Sequence, residues 1–66
     1  MIAFMVDDMT CGHCVKAITQ AVQDADAGAT VRIDLAGHRV EIEPGSADAR
    51  RLQEAIAEAG YTPVPA

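Results

Sequence analysis

The run Met9-Thr10-Cys11-Gly12-His13-Cys14 joins an apolar strand pattern to a helix pattern, and it contains both cysteines of the chain. On its N-terminal side, Ile2, Phe4 and Val6 alternate with their neighbours, which predicts a strand with one buried face. Two thiols at the entrance of a helix can bind a soft metal ion or close into a disulfide. The first question about function is therefore whether the two cysteines bind a metal ion or take part in redox exchange.

Two later segments have the i, i+3, i+7 spacing of helices with one apolar face. The first helix follows the cysteine run and is predicted to end near Gly28. The second follows a break at Pro44-Gly45-Ser46, where Ser46 is a good N-cap, and extends to Gly60. The apolar positions are Val15, Ile18, Val22 and Ala25 in the first helix and Ala49, Leu52, Ile56 and Ala59 in the second.

A hairpin is predicted between the helices. Residues 30–35 alternate, the turn falls at Ala36-Gly37-His38 with His38 in solvent, and Val40 and Ile42 continue the alternation. Residues 61–64 predict a short last strand. The order strand, helix, strand, strand, helix, strand predicts an α+β, ferredoxin-like βαββαβ sandwich, whose four-stranded antiparallel sheet carries both helices on one face. The strand residues expected in its core are Phe4, Val6, Val31, Ile33, Val40 and Ile42.

Length and composition limit the classes of function. A chain of 66 residues, half of them hydrophobic, supports one domain over residues 1–66 with one aliphatic core. The net charge of −5 and the absence of a Lys/Arg run argue against nucleic acid and anionic membranes as partners. No carboxylate pair in the chain suggests acid–base catalysis and no other catalytic constellation is present, so we expect a protein that is not an enzyme.

The N-terminal segment indicates the compartment. Residues 1–6 are apolar but are followed at once by Asp7 and Asp8, and they are too short for a signal peptide or a membrane span. We therefore expect a cytoplasmic protein without direct membrane insertion, and the starting Met1 favours a free-standing one. In a reducing compartment a cysteine pair is metal-binding or redox-active rather than a structural disulfide.

The chain resembles the heavy-metal-associated domain family, and within it the small bacterial copper chaperones. The resemblance covers nearly the whole chain: the Met9-Thr10-Cys11-x-x-Cys14 loop after a short strand, the apolar helix residues, the hairpin, and Ala59-Gly60-Tyr61 before the last strand. It implies a copper(I) carrier whose ligands are Cys11 and Cys14. It also implies a partner that accepts the ion, typically a copper-transporting P-type ATPase or a similar acceptor protein.

The resemblance further implies roles for two neighbours of the cysteines: Met9 packs under the metal loop as a core residue, and Tyr61 lies near the loop. His13, between the cysteines, is expected in solvent, and Gly12 is expected to give the loop backbone conformational freedom. The protein should be a monomer without metal. Under excess metal, two copies could share metal through four thiolates and form a metal-bridged homodimer.

Departures from the family pattern leave metals other than copper(I) as alternatives for the bound ion. Asp8, preceded by Asp7, stands where the family often has Gly, and extra carboxylates could admit zinc. The related zinc-exporting domains usually have Asp directly before the first cysteine, where this chain has Thr10, so copper(I) is favoured, with silver(I) and zinc(II) open. A soft-metal carrier or regulatory domain of a larger transporter, and a dithiol redox protein, remain alternative functions.

Overall fold

The computed structural model describes residues 1–66 and confirms the predicted order of elements. The elements are β1 (Ile2–Val6), α1 (Gly12–Ala25), β2 (Thr30–Asp34), β3 (Arg39–Glu43), α2 (Ala49–Glu58) and β4 (Pro63–Pro65). The strands form one antiparallel sheet in the spatial order β2-β3-β1-β4. The fold is the expected ferredoxin-like βαββαβ sandwich, and no helix in it combines the length and apolar character needed to cross a bilayer.

The core lies between the sheet and the two helices. Phe4 in β1 pairs with Val40 in β3, and both are buried against the helices. Both helices bury residues in this one cluster, so they cover the same face of the sheet. These helix residues are Ile18, Val22, Leu52 and Ile56. Val31 and Ile33 are only half-buried, because β2 is an edge strand and has a neighbour on one side only.

The end of α1 differs from the prediction because of a contact between segments distant in sequence. The helix ends at Ala25 rather than near Gly28, and the next residue, Asp26, is buried and caps it. The Oδ2 atom of Asp26 accepts the backbone N–H groups of Gly45, Ser46 and Ala47 at 2.8, 2.9 and 2.9 Å. Its Oδ1 atom accepts the N–H of Gly28 at 3.2 Å. This carboxylate therefore ties α1 to the turn before α2.

These hydrogen bonds set the protonation state of Asp26. The pKa of the carboxyl is lowered from 3.8, first by the N–H of Ala47 and then by that of Ser46, while burial acts in the opposite direction. Bonds to Gly45 and Gly28 lower it further. Asp26 is thus held as an anion, since hydrogen bonds to the charged form favour that form.

The start of α2 and the position of β4 also differ from the prediction. The N-cap of α2 is Asp48, whose Oδ1 accepts the N–H of Arg51 at 2.9 Å, and the predicted N-cap Ser46 lies upstream in the turn that Asp26 holds. β4 occupies Pro63–Pro65 rather than residues 61–64. It pairs with β1 at the sheet edge, and the Nε2 of Gln53 donates to the Pro63 carbonyl at 3.3 Å.

Candidate metal centre

The two cysteines lie at the N-terminus of α1. Cys11 is the N-cap residue in an extended conformation, and its side chain makes no capping hydrogen bond. Cys14 lies in the first helical turn and donates its N–H to the Cys11 carbonyl at 3.0 Å. Both thiols are free, and their sulfur atoms are 3.7 Å apart. The chain therefore presents two adjacent sulfurs, one on the exposed Cys11 and one on the half-buried Cys14.

Groups around Cys14 favour its thiolate. Hydrogen bonding with the Tyr61 side chain is the largest of several causes that lower the pKa of Cys14 from 9.0 to about 7. Hydrogen bonding with the backbone of Thr10 and Cys11 lowers it further, and burial opposes the change. The thiolate is the form that binds metal and attacks as a nucleophile. The surroundings of Cys14 therefore favour the form of its thiol that binds a cation.

Tyr61 comes to the site from the loop between α2 and β4, and its side chain is half-buried against the core. The pKa of its hydroxyl is raised, first by hydrogen bonding with Cys14, then by burial and by the negative charges of Cys14, Cys11 and Asp8. Asp8 also accepts the N–H of Thr62 on its Oδ1 at 3.3 Å. The position of Tyr61 near the loop agrees with the resemblance. The Asp8 contact had no signal in the sequence.

Met9 lies beneath the loop. It is fully buried in the core cluster, and its N–H donates to the Val6 carbonyl at 3.1 Å. A methionine in this position packs against aliphatic neighbours, as a flexible apolar side chain readily does. Met9 therefore supports the loop from below, as the resemblance implies.

The cysteine pair has no third partner among the usual ligating residues. No group of three or more His, Cys, Asp or Glu side chains comes together anywhere in the chain. His13, Asp7 and Asp8 are exposed. Zinc sites in proteins are almost always four-coordinate, whereas copper(I) is selected by soft sulfur ligands. One copy of the chain thus offers a site of two sulfurs, which suits a soft ion of low coordination number.

The spacing of the sulfurs suits one ion. Two bonds of ~2.3 Å, the zinc–sulfur value, place two sulfurs at most ~4.6 Å apart. The observed 3.7 Å therefore admits an ion in a bent arrangement, and a linear arrangement needs the sulfurs to separate by roughly 0.9 Å. A side-chain rotation of the exposed Cys11 supplies such a change without moving the helix.

The expectations for Gly12 in the metal loop and for His38 in the hairpin turn are wrong. Gly12 is the first residue of α1 and has no positive φ, so its position does not need glycine. The left-handed residues are Gly60, with φ 102°, and His38, with φ 55°. His38 is half-buried rather than in solvent, and its Nδ1 is buried without a hydrogen-bond partner. Its carbonyl accepts the N–H of Val6 at 2.8 Å, which draws the hairpin turn toward β1.

Curated relatives of the chain include proteins named for copper. It is 29% identical over 58 residues to the copper chaperone CopZ of Bacillus subtilis, covering 85% of this chain and 84% of that protein. It is 31% identical over 61 residues to copper-transporting ATPase 2 of Rhizobium meliloti, covering 91% of this chain. The chain spans 7% of the length of that ATPase.

A solved structure that resembles this chain is also named for copper. The copper chaperone Atx1 from Synechocystis PCC6803, in a trimeric form, superposes with a TM-score of 0.91 at 40% identity, over 96% of this chain and 98% of that chain. Residues 3–62 match the heavy-metal-associated domain. The fold, the cysteine loop and this match together show that the chain belongs to the heavy-metal-associated domain family.

Proposed function

We propose that this chain is a cytoplasmic copper(I) carrier, built as one heavy-metal-associated domain over residues 1–66, in which Cys11 and Cys14 bind one Cu(I). The observation that carries the proposal is the pair of free sulfurs 3.7 Å apart at the exposed end of α1, with no third ligating side chain beside them. The names of the relatives CopZ and Atx1 support copper as the cargo. Silver(I), which shares the softness of copper(I), would bind the same sulfurs.

The proposed transfer proceeds by stepwise exchange of thiolates. Cys11 is exposed and Cys14 is half-buried, so an incoming thiolate of the partner reaches the ion on the Cys11 side. A bond from the partner's sulfur to Cu(I) forms as the Cys11 bond breaks, and a second partner thiolate then replaces Cys14. No electron is transferred, and the ion remains Cu(I) throughout.

The proposed partner is a copper-transporting P-type ATPase or a similar acceptor with its own cysteine pair. The match to a copper-transporting ATPase supports this partner, because it indicates that such pumps contain a domain of the same kind. The same match supports a second candidate function, in which this sequence acts as the metal-binding regulatory domain of a transporter. Under excess metal and without competing thiols, two copies would share metal through four thiolates.

Anaerobic titration of the reduced protein with Cu(I) and with Zn(II), against competing chelators of known affinity, tests the proposal. We expect one Cu(I) per chain and a large loss of affinity in Cys11→Ser and in Cys14→Ser. His13→Ala is the matched control from the same loop, and it should retain the wild-type affinity because His13 is exposed and outside the pair.

Two results would reject the copper proposal. Zinc binding tighter than copper binding, and dependent on Asp7 or Asp8, would indicate a zinc carrier. Catalysed disulfide reduction by the metal-free protein, with no thiol-dependent copper uptake, would indicate a dithiol redox protein.

A further inference from the structure

One side-chain hydrogen bond connects the metal loop to the loop between α2 and β4. The Oδ1 atom of Asp8 accepts the backbone N–H of Thr62 at 3.3 Å, across 54 positions of sequence. Asp8 lies between β1 and the cysteine pair, and Thr62 directly follows Tyr61. The bond therefore joins the segment that leads to Cys11 with the segment that carries Tyr61.

The backbone on either side of Tyr61 explains why this bond matters. Gly60 adopts φ 102°, a left-handed conformation in which the chain leaves α2, and β4 begins only at Pro63. Residues 60–62 thus lie between two elements without ladder hydrogen bonds of their own. The Thr62 N–H has Asp8 as its partner, and this contact fixes the segment at its C-terminal end.

Tyr61 is the residue that this contact holds in place. The side chains of Tyr61 and Cys14 are both half-buried against the core, and the Tyr61 hydroxyl interacts with the Cys14 thiol. Asp8 is close enough to Tyr61 for its charge to act on the phenol. A fixed Tyr61 keeps its hydroxyl at Cys14, while Cys11 stays exposed as the side on which ligand exchange begins.

We propose that Asp8 is a positioning residue: its carboxylate holds the α2–β4 loop against the metal loop, keeps the Tyr61 hydroxyl at Cys14, and thereby slows release of the bound ion. The effect on release rests on the proposed function, whereas the effect on Tyr61 does not. Asp8 is not a ligand in this proposal, and it acts through Tyr61.

The metal-free protein tests the positioning directly. Tyr61 is the only tyrosine and the chain has no tryptophan, so tyrosine fluorescence reports this one side chain. We expect acrylamide quenching of Tyr61 to increase about twofold or more in Asp8→Ala, as loss of one hydrogen bond allows. Asp8→Asn should quench like wild type, because its amide oxygen still accepts the Thr62 N–H. Asp7→Ala, which changes the exposed neighbouring carboxylate, is the matched control.

A double-mutant cycle on the loaded protein tests the effect on release. We expect Cu(I) transfer to an excess chelator to accelerate about two- to twelvefold in Asp8→Ala, the range of one hydrogen bond. Tyr61→Phe should accelerate it similarly, and Asp8→Ala should add nothing in the Tyr61→Phe background. Additive effects would overturn the proposal, since Asp8 would then act independently of Tyr61.

The outcomes separate this inference from the proposed function. Failure of the wild type to bind Cu(I) would reject the proposed function, while unchanged quenching in Asp8→Ala would reject the positioning role whatever the metal. If Asp8→Ala does not fold, amide hydrogen exchange of Thr62 in the unaltered protein decides the matter. An amide that exchanges as fast as an unstructured peptide would overturn the proposal.

Discussion

The Oδ2 atom of Asp26 accepts the backbone N–H of Gly45 at 2.8 Å, and this bond joins the end of α1 to the turn before α2. The two backbones are in close contact at this point. A Cβ atom placed on Gly45 would lie 2.8 Å from the Cα of Gly28 and 2.8 Å from Asp26 Oδ1. The second helix is thus anchored to the first by a buried carboxylate and by two glycines whose backbones are in close contact.

We predict that Gly45→Ala destabilises the protein by about 1–3 kcal/mol, the usual cost of forcing an extra carbon into a packed site. Urea unfolding followed by circular dichroism measures the change. Gly12→Ala is the matched control, because nothing lies within 4 Å of its added Cβ and alanine is the better helix former, by about 1 kcal/mol at most. Equal stability of the two variants would contradict the close approach of Gly45 and Gly28.

Stability should fall in acid because of Asp26. The pKa of this carboxyl is lowered from 3.8 in the folded protein, so folding favours the ionised form. Its contribution to stability is complete above the unfolded-state pKa, and it is lost as the pH falls below that value and through the lower folded-state pKa. Thermal unfolding between pH 7 and pH 2 measures this dependence.

The same experiment on Asp26→Asn isolates the residue. The variant should be less stable than wild type at neutral pH, because the amide accepts the N–H groups of Gly45, Ser46 and Ala47 less strongly than the carboxylate does. The stability difference between the two proteins should shrink as the pH falls through the acid range. If the stability difference between wild type and Asp26→Asn stays constant with pH, the loss of stability comes from packing and not from the charge of Asp26.

Tyr61→Phe should raise the pKa of the Cys14 thiol from about 7 toward 9.0, because it removes the largest of the causes that lower it. The rate of iodoacetamide alkylation at Cys14, measured against pH and assigned by peptide fragmentation, gives the pKa. We expect the midpoint of the profile to move to higher pH. In strong urea, where Tyr61 and Cys14 are apart, the alkylation profiles of wild type and variant should be the same. Identical profiles in the native state as well would refute the contact between the two side chains.

Cu(I) should raise the melting temperature of the reduced protein. A ligand present at 100 times its dissociation constant stabilises the folded state by about 2.7 kcal/mol, and 1 kcal/mol shifts the melting temperature of a domain this small by about 4–8 °C. Scanning calorimetry under anaerobic conditions measures the shift. Cys11→Ser should melt near the metal-free wild type and lose most of the shift, and an equal shift in both proteins would show that Cu(I) binds elsewhere.

Local patterns were sufficient to predict the elements and the cysteine pair. The alternation of Phe4 and Val6 and the helical spacing of Ile18 and Val22 each depend on near neighbours in sequence, and all four side chains are buried as expected. The placement of Cys11 at the helix entrance also follows from the motif beside it, and the structure brings its sulfur to that of Cys14.

Features that depend on distant contacts could not be predicted. Ser46 and Asp48 both have side chains that can cap the N-terminus of α2. Asp48 is the cap, because the backbone N–H of Ser46 is held in the preceding turn by the carboxylate of Asp26, 20 positions earlier in the sequence. The bond from Asp8 to Thr62 likewise links residues 54 positions apart. His38 has left-handed φ without being glycine, and only the tertiary fold shows that its side chain is half-buried.

The two prolines of β4 have a consequence for behaviour at high concentration. In an edge strand that pairs with β1, the N–H groups of alternate residues point inward and outward, and Ala66 donates inward to the Ala3 carbonyl at 3.0 Å. The outward positions are therefore those of Pro63 and Pro65, which have no N–H to donate. This border of the sheet cannot template another strand, so crowded copies of the chain are protected on that side from fibrillar aggregation.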